Sequence, residues 1–454
     1  MENSRGCRKS VRRVISFEYR PPFKQNVILS SLTYAASKLW NIANYERRNW
    51  MPETDTPYPD WYEQKKRLKG EYWYKSLPSQ TAQEVLKQLE GAWRSYRELK
   101  KTEGVENPGP PGYKHRNFNI RYLNNGFRIE DNTIRLSIPK KQKEHTKEKH
   151  GIKADFIYIP IPQEYADYEG NTKIIEIIPV PEKDRYKINI IVELPRSACR
   201  KDNGIYMSVD LGINNLITCY ISTCKCMILS GRQLLSTNRY FDKKIGYYQG
   251  IAYAQQKARG KEHHERTKRV NQLYAKRRKQ VEHILHSATR KVIEFAKEEN
   301  VSRIIVGDVT NIRKDNTMGR KNNQKFHKWP FKRIMSMLEY KAEDAGIIVE
   351  IQEESYTSQC SPYEEEVTKE RAKSGTGIRK NRGLYKVGKR LFNADCVGAY
   401  NIMKKYLRRT GLSAKQTDRK PVTVVVGLDT PMMYKWDACD GFVWNQKLAF
   451  SKAM

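Results

Sequence analysis

The chain has 454 residues, 38% of them hydrophobic, and 85 Lys and Arg against 51 Asp and Glu give it a formal charge of +34. That length accommodates about three domains, and no apolar run is long enough for a helical membrane span. The positive excess is spread along the chain rather than gathered in one tail, which argues against a disordered basic arm and for an extended channel that meets a polyanion.

Other bulk features agree. Aromatic residues make up 11%, with 28 tyrosines, many beside Lys or Arg, a mixture suited to base stacking and phosphate contact together. The first residues, "MENSRGCRKSVRRVISFEYR", are basic without the apolar stretch of a secretory signal. The eight cysteines are scattered except for Cys219, Cys224 and Cys226. They read as reduced thiols of a cytoplasmic protein rather than a disulfide framework.

In chain order, "VRRVISFEYR" predicts an opening strand. "NVILSSLTYAASKLWNIANYERRNW" predicts a helix, with Leu32, Ala35, Ala36, Leu39 and Ile42 at helical spacing. "LPSQTAQEVLKQLEGAWRSYRELKK" predicts a second, with Val85, Leu86, Leu89, Trp93 and Tyr96 on the face that packs between the two. "GVENPGPPGYKHRN" breaks the helical run. From about residue 118 to 200, alternating segments such as "NGFRIEDNTIRLSI" and "RYKINIIVEL" predict a small barrel or sandwich. Residues 11–20 supply its opening strand, with the helices inserted into it.

The style changes at residue 203. "GIYMSVDLGINNLITCYIST" and "CMILSGRQL" predict a three-stranded antiparallel meander, followed by a very basic helical region over 239–300. Then come the strand "SRIIVGDV", a crossover helix over "WPFKRIMSMLEYKAEDAG" and the strand "IIVEIQE". A polar segment runs from 356 to about 390, and "NADCVGAYNIMKKYLRR" starts a helix at an Asn/Asp cap. Three meandering strands, a crossover helix and two further strands predict an α/β core of the ribonuclease H type.

In such a core Asp210 sits in the first strand and Asp395 at the start of the last helix. Two-metal phosphodiester cleavage needs clustered carboxylates holding two magnesium ions. Two aspartates begin such a set, and a third acid is expected. Taken singly, Asp210 also reads as a turn residue before Gly212 and Asp395 as a helix cap. Together, in a chain of +34, they favour the metal reading.

"SVDLGINNLIT", "HSATRKVIEFAKEENVSRIIVGDV", "LEYKAEDAGI", "YTSQC" and "NADCVGAYNI" resemble the split RuvC nuclease domain of TnpB, the RNA-guided nuclease family akin to compact type V CRISPR effectors. "LPSQTAQEVLKQLEGAW" and "PGPPGYKHR" resemble its helical recognition lobe and the return to its wedge barrel. The resemblance extends to about residue 410. It implies a wedge-like β-barrel over 1–20 and 105–200, a helical recognition lobe over 21–104 and a split RuvC domain over 201–355 and 391–410. It also implies a target-nucleic-acid loop over 356–390, with 411–454 as an unmatched extension.

Two departures from the family pattern matter. The strand "RIIVGDV" has Gly307 where the pattern has a glutamate. Asp308 could substitute, but adjacent strand residues point to opposite faces. The site could be dead, as in nuclease-dead relatives. Or Glu354, at the end of the neighbouring parallel strand, could reach the space beside Gly307, as the "ESYTSQ" context of rearranged relatives suggests. The order of preference is Glu354, then Asp308, then a dead site. Glu353 faces away, Glu350 lies too early and Glu339 reads as a surface residue. The second departure is the zinc ribbon, because the segment offers only Cys360 and, too late, Cys396. Zinc is not expected, and Cys219, Cys224 and Cys226 read as packing residues in strands.

The resemblance thus implies a magnesium-dependent RNA-guided DNA endonuclease, with guide RNA and target double-stranded DNA as partners and Asp210, Glu354 and Asp395 as catalytic and metal ligands. The alternative is a nuclease-inactive, RNA-guided DNA-binding repressor. The basic candidates for nucleic-acid contact are Lys140, Lys141, Arg277, Arg278, Arg379, Lys380 and Arg382.

Overall fold

The computed structural model describes residues 10–445 apart from 52, 54–56, 103–106, 167, 169, 181–184, 263, 310–328, 382 and 413–426. The chain divides into two compact units, Met1–Arg196 and Ser197–Met454. No helix among the described residues is long and apolar enough to cross a membrane.

The first unit opens with strand β1 (Ser10–Tyr19), followed by helices α1 (Phe23–Arg48), α2 (Trp61–Arg67), α3 (Tyr72–Lys75) and α4 (Ser79–Lys101). Strands β2 (Ile120–Leu123), β3 (Phe127–Glu130) and β4 (Thr133–Ser137) follow, then α5 (Lys140–His150), β5 (Phe156–Pro160), β6 (Asn171–Val180) and β7 (Arg185–Pro195). β1 runs antiparallel to β7 from Ser10↔Pro195 to Tyr19↔Tyr186, so the four helices are an insertion between the first strand and its sheet. The strands form two hydrogen-bonded sheets, β1-β7-β6-β2 and β3-β4-β5, rather than one closed barrel. Closure needs an unbroken ladder, and β2 and β3, of four residues each, do not pair with one another.

Both sheets and the helices share one core. Leu32, Ala36 and Leu39 of α1 meet Val85, Leu86 and Leu89 of α4, with Ile134, Leu136, Ile157, Ile159, Ile188 and Ile190 from the strands. Ile42 and Trp93 are only partly buried against it, and the Trp93 indole N–H donates to Asn44 Oδ1 at 2.9 Å. Helix α5 is absent from the sequence reading because "KKQKEHTKEKH" has no apolar face. Its Gln142 and Thr146 are buried, and Gly151 ends it at φ +64°, the left-handed geometry glycine takes without strain.

The second unit begins with the meander β8 (Tyr206–Leu211), β9 (Asn215–Ile221) and β10 (Cys226–Ser230). The basic region is two helices, α6 (Arg232–Ala258) and α7 (Lys268–Glu298), joined through a small core of Phe241, Ile245, Val270 and Leu273. β11 (Arg303–Asp308) lies parallel to β8. After α8 (Phe331–Asp344), β12 (Ile348–Glu353) lies parallel to β11 with Gly307 opposite Gln352 and Asp308 opposite Glu353. The stretch expected as a loop over 356–390 instead holds α9 (Lys369–Ser374) and an antiparallel meander of β13 (Gly377–Asn381), β14 (Leu384–Val387) and β15 (Arg390–Asn393). Helix α10 (Ala394–Thr410) starts directly from β15.

The C-terminal extension completes the main sheet. β16 (Met432–Asp437) pairs parallel with β10, and β17 (Gly441–Trp444) follows at the edge, in the order β12-β11-β8-β9-β10-β16-β17. Asp437 Oδ1 accepts from the Cys439 and Asp440 amides at 2.8 and 3.1 Å, and Gly441 has φ +75°. An acceptor in a turn followed by a left-handed glycine closes the hairpin.

Candidate active site

Asp210 is the penultimate residue of β8, half-buried between Val209 and Leu211, which point into the sheet's other face. Helix α10 crosses that strand closely, because Ser208 Oγ donates to the Ala399 carbonyl at 2.6 Å. A Cβ at Gly398 would lie 2.9 Å from Asp210 Oδ2. Glycine at that helical position is therefore what admits the Asp210 carboxylate beneath α10. After Asp210 the chain turns at Gly212, where a Cβ would strike the Asn215 carbonyl oxygen at 2.5 Å. The turn reading belongs to Gly212, and the strand keeps Asp210.

Asp395 is in the first turn of α10, but the cap is Asn393, whose Oδ1 accepts from the amides of Asp395 and Cys396 at 3.0 and 3.2 Å. The Asp395 carboxylate is thus free for other work. Its Oδ2 accepts from Asn215 Nδ2 at 2.6 Å and its Oδ1 from the Arg379 guanidinium at 3.3 Å. Asn215 opens β9 and Arg379 comes from β13.

Glu354 lies one residue beyond the end of β12 rather than within it. The chain reverses there. Thr357 Oγ1 donates to the Glu354 carbonyl at 2.7 Å, and Tyr356 adopts φ +63°, a conformation that bulky side chains avoid. Asn401 of α10 secures this turn by donating Nδ2 to the Thr357 and Cys360 carbonyls at 2.8 and 2.9 Å. A Cβ built on Gly307 would lie 2.5 Å from Glu354 Oε2 and 2.9 Å from Ile402 Cδ1. The glutamate occupies the volume a side chain at 307 would need.

Electrostatics tie the acids together. Burial, and then the charge of Asp395, push the Asp210 carboxyl up to about 7, with Arg379 opposing. Burial pushes Glu354 up to about 8, aided by the charges of Asp210, Asp308 and Glu353. Carboxylates held near one another out of water favour protonation or a cation between them. Among the described residues, no three such side chains are already gathered closely enough to hold an ion, and Asp395 is engaged by Asn215 and Arg379. The donor set would suit a hard divalent cation: the atoms it offers are carboxylate oxygens, whose burial near one another is costly without positive charge.

The other acids have separate partners. Glu353 is bound by Lys405 and by the Ser355 amide, Glu350 pairs with Arg303, and Glu339 is exposed. Asp308 is near enough to Glu354 to raise it. Cys360 Sγ points to the Thr368 carbonyl at 3.4 Å, while Cys396 is buried against Cys226. Cys219 and Cys226 are in strands as expected, but Cys224 is in the turn between them at φ +67°. Of the basic candidates, Arg277 is engaged by Asn238 Oδ1 at 3.0 and 2.9 Å, where it ties α7 to α6. Arg278, Lys140, Lys141 and Lys380 are exposed. Arg379 joins the acids, and Arg382 lies outside the described residues. Asn215, Gly398 and Asn401 were missed by sequence reasoning, although all three stand inside the "VDLGINN" and "NADCVGAYNI" segments that it singled out.

Comparison with known proteins adds the following. Residues 189–313 match OrfB_IS605, a probable transposase, and residues 331–402 match the Cas12f1-like TNB domain. The TnpB-like protein ORF457 of Acidianus two-tailed virus is 24% identical over 433 residues, which cover 88% of this chain and 86% of that protein. In fold the chain is similar to Cas12f1 in the Cas12f1-sgRNA-target DNA complex, with a TM-score of 0.53 and 15% identity over 84% of this chain and 81% of that one. Along most of its length the chain is similar to TnpB-like proteins and compact type V effectors.

Proposed function

We propose that the chain is an RNA-guided DNA endonuclease whose phosphodiester cleavage is carried by Asp210, Glu354 and Asp395. The observation that carries this reading is Glu354 filling the space at Gly307, so that it feels the charge of Asp210. The order β12-β11-β8-β9-β10, with β8 to β10 antiparallel and β11 and β12 parallel to β8, supports a ribonuclease H-type core. Functional groups in such sheets gather at the carboxyl ends of parallel strands, where Asp210, Asp308 and Glu354 stand.

Asp210, Glu354 and Asp395 are the residues that would hold magnesium; two bound ions would supply Lewis-acid charge to the scissile phosphate. The chain's own groups prepare the site. Asn215 fixes one oxygen of Asp395, leaving the other to the Arg379 guanidinium. Arg379 can give up that oxygen for a phosphate, since guanidinium pairs readily with either anion. Guide RNA and target double-stranded DNA are the partners this reading implies. Their sequence recognition would fall to base pairing and their backbone contacts to the chain's excess of Lys and Arg.

The test is cleavage of target DNA by guide-loaded protein in magnesium, comparing wild type with Asp210→Asn and Glu354→Gln. Cutting by wild type and its loss in both variants supports the proposal. Wild type that binds target and never cuts would establish the nuclease-inactive repressor instead.

A further inference from the structure

The three-stranded sheet of the first unit has one face in the core and one face turned outward. Ile134, Leu136, Ile157 and Ile159 are fully buried, so strand alternation turns Arg128, Arg135, Phe156 and Tyr158 to the opposite side. Register sets them in rows: Arg128 stands opposite Arg135, Arg135 opposite Tyr158, and Ser137 opposite Phe156. Phe156 and Tyr158 are 37% and 48% exposed, with ring centroids 6.4 Å apart. The Arg135 guanidinium lies 4.7 Å from the Phe156 centroid, and Lys143 of α5 lies 5.9 Å from it.

This face is costly for stability alone. Like charges directly opposite one another on an antiparallel pair repel, and Arg128 and Arg135 are so placed. Glu130 approaches Arg135 at 3.7 Å, and Lys143 is paired with Asp155 at 2.7 Å. Among the described residues no carboxylate pairs with Arg128. Two solvent-facing rings beside paired arginines lose apolar shielding and gain repulsion, both of which an anionic ligand with flat apolar faces would relieve. Nucleobases on a phosphate backbone have that chemistry. A rigid sheet bearing aromatic rings is a platform on which unpaired bases stack while cations hold the backbone.

We infer that the outer face of β3-β4-β5 binds a single-stranded nucleic-acid segment, with Phe156 and Tyr158 stacking on two bases and Arg128 and Arg135 pairing with the backbone phosphates. The site lies wholly in the first unit and needs no metal, so it stands or falls separately from the cleavage chemistry.

The experiment uses the full-length chain in EDTA with fluorescent single-stranded RNA, single-stranded DNA and blunt duplex DNA of about 12 nucleotides per strand. Phe156→Ala/Tyr158→Ala is expected to weaken single-strand binding roughly 30-fold or more, with little change in the salt slope. Arg128→Ala/Arg135→Ala is expected to lower the single-strand salt slope by about 1 to 1.5. Phe156→Tyr/Tyr158→Phe keeps both rings and should keep binding, which separates stacking from misfolding. RNA and DNA oligonucleotides carrying 5-iodouracil should cross-link at Phe156 or Tyr158, and the stronger arm identifies the natural strand. Wild-type affinity in the alanine double variant would overturn the inference, as would equal losses for duplex and single strand. A change in the sedimentation of the free protein on removing the rings would overturn it too, in favour of a second copy of the chain on this face.

Discussion

Gly307 and Glu354 share one volume: a Cβ on the glycine would stand 2.5 Å from the glutamate's Oε2. The two residues are far apart in sequence and come from neighbouring parallel strands, β11 and the turn after β12. The absence of a side chain on one is the condition for the presence of the carboxylate on the other.

That relationship can be exchanged. Gly307→Glu alone should place two glutamates in one space and abolish cleavage, with a fall in stability of about 1–3 kcal/mol from overpacking. Combined with Glu354→Ala, it should regain measurable cutting and part of the lost stability. Thermal melts and magnesium-dependent cleavage of the three variants check this, and a double variant no better than its parents would contradict the shared-volume account.

The middle acid can be assigned directly. Glu354→Gln should lower the cleavage rate by about a hundredfold or more, as expected when a group acting on the transition state is lost. Asp308→Asn should reduce it far less, because Asp308 bears on Glu354 through its charge while Glu354 itself fills the space at Gly307. Single-turnover rates at saturating target distinguish the two, and the reverse ranking would transfer the role to Asp308.

The stability of metal-free protein should depend on pH with a definite sign. Glu354 is raised from the ordinary carboxylate range to about 8, so the folded state holds its proton more tightly than the unfolded state. The resulting stabilisation is complete below the unfolded pKa and is lost as pH rises through about 8. Asp210, raised to about 7, acts in the same direction. In EDTA, Glu354→Gln should therefore gain stability over wild type progressively from about pH 5 to about pH 8.5. Magnesium should stabilise wild type most at the alkaline end. A difference between the two proteins that stays constant with pH would refute the burial of this acid.

Gly398→Ala tests the approach of α10 to β8. The added methyl lies 2.9 Å from Asp210 Oδ2, so the helix or the carboxylate must shift. Alanine ordinarily favours a helix over glycine by about 1 kcal/mol. A lower melting temperature together with reduced cleavage would show that the contact outweighs propensity, whereas a stabilised and fully active variant would show that it does not.

Asn215→Ala should leave Asp395 held by Arg379 alone. A higher magnesium requirement is expected, with a smaller change in the rate at saturating metal, since oriented ligands bind more tightly than free ones. A titration of cleavage against magnesium reads this directly, and an unchanged midpoint would remove Asn215 from the site.

Much of this was determined by the residues in order. Helical spacing placed Leu32, Ala36 and Leu39 on the inner face of α1, and strand alternation placed Ile188 and Ile190 inside the sheet. The vacancy at Gly307 and the acid in "ESYTSQ" could be read together through the resemblance to the family pattern, to which the parallel strands and their crossover helix added a topological reason. Helix α5 could not be read, because a helix polar on all sides carries no periodic signal. The same holds for the meander over β13 to β15, whose short, polar strands resemble loop sequence.

Only the tertiary structure decided how the acids are held. Asn393 is the cap that frees Asp395, Asn215 and Arg379 then claim its oxygens, and Gly398 admits Asp210 beneath α10. These contacts join residues from separate strands and a helix, so no spacing along the chain encodes them. The sequence alone determined which residue types were available and where their elements would end. Packing of α10 across the sheet decided how the carboxylates are held, because burial and mutual charge exist only once those elements are side by side.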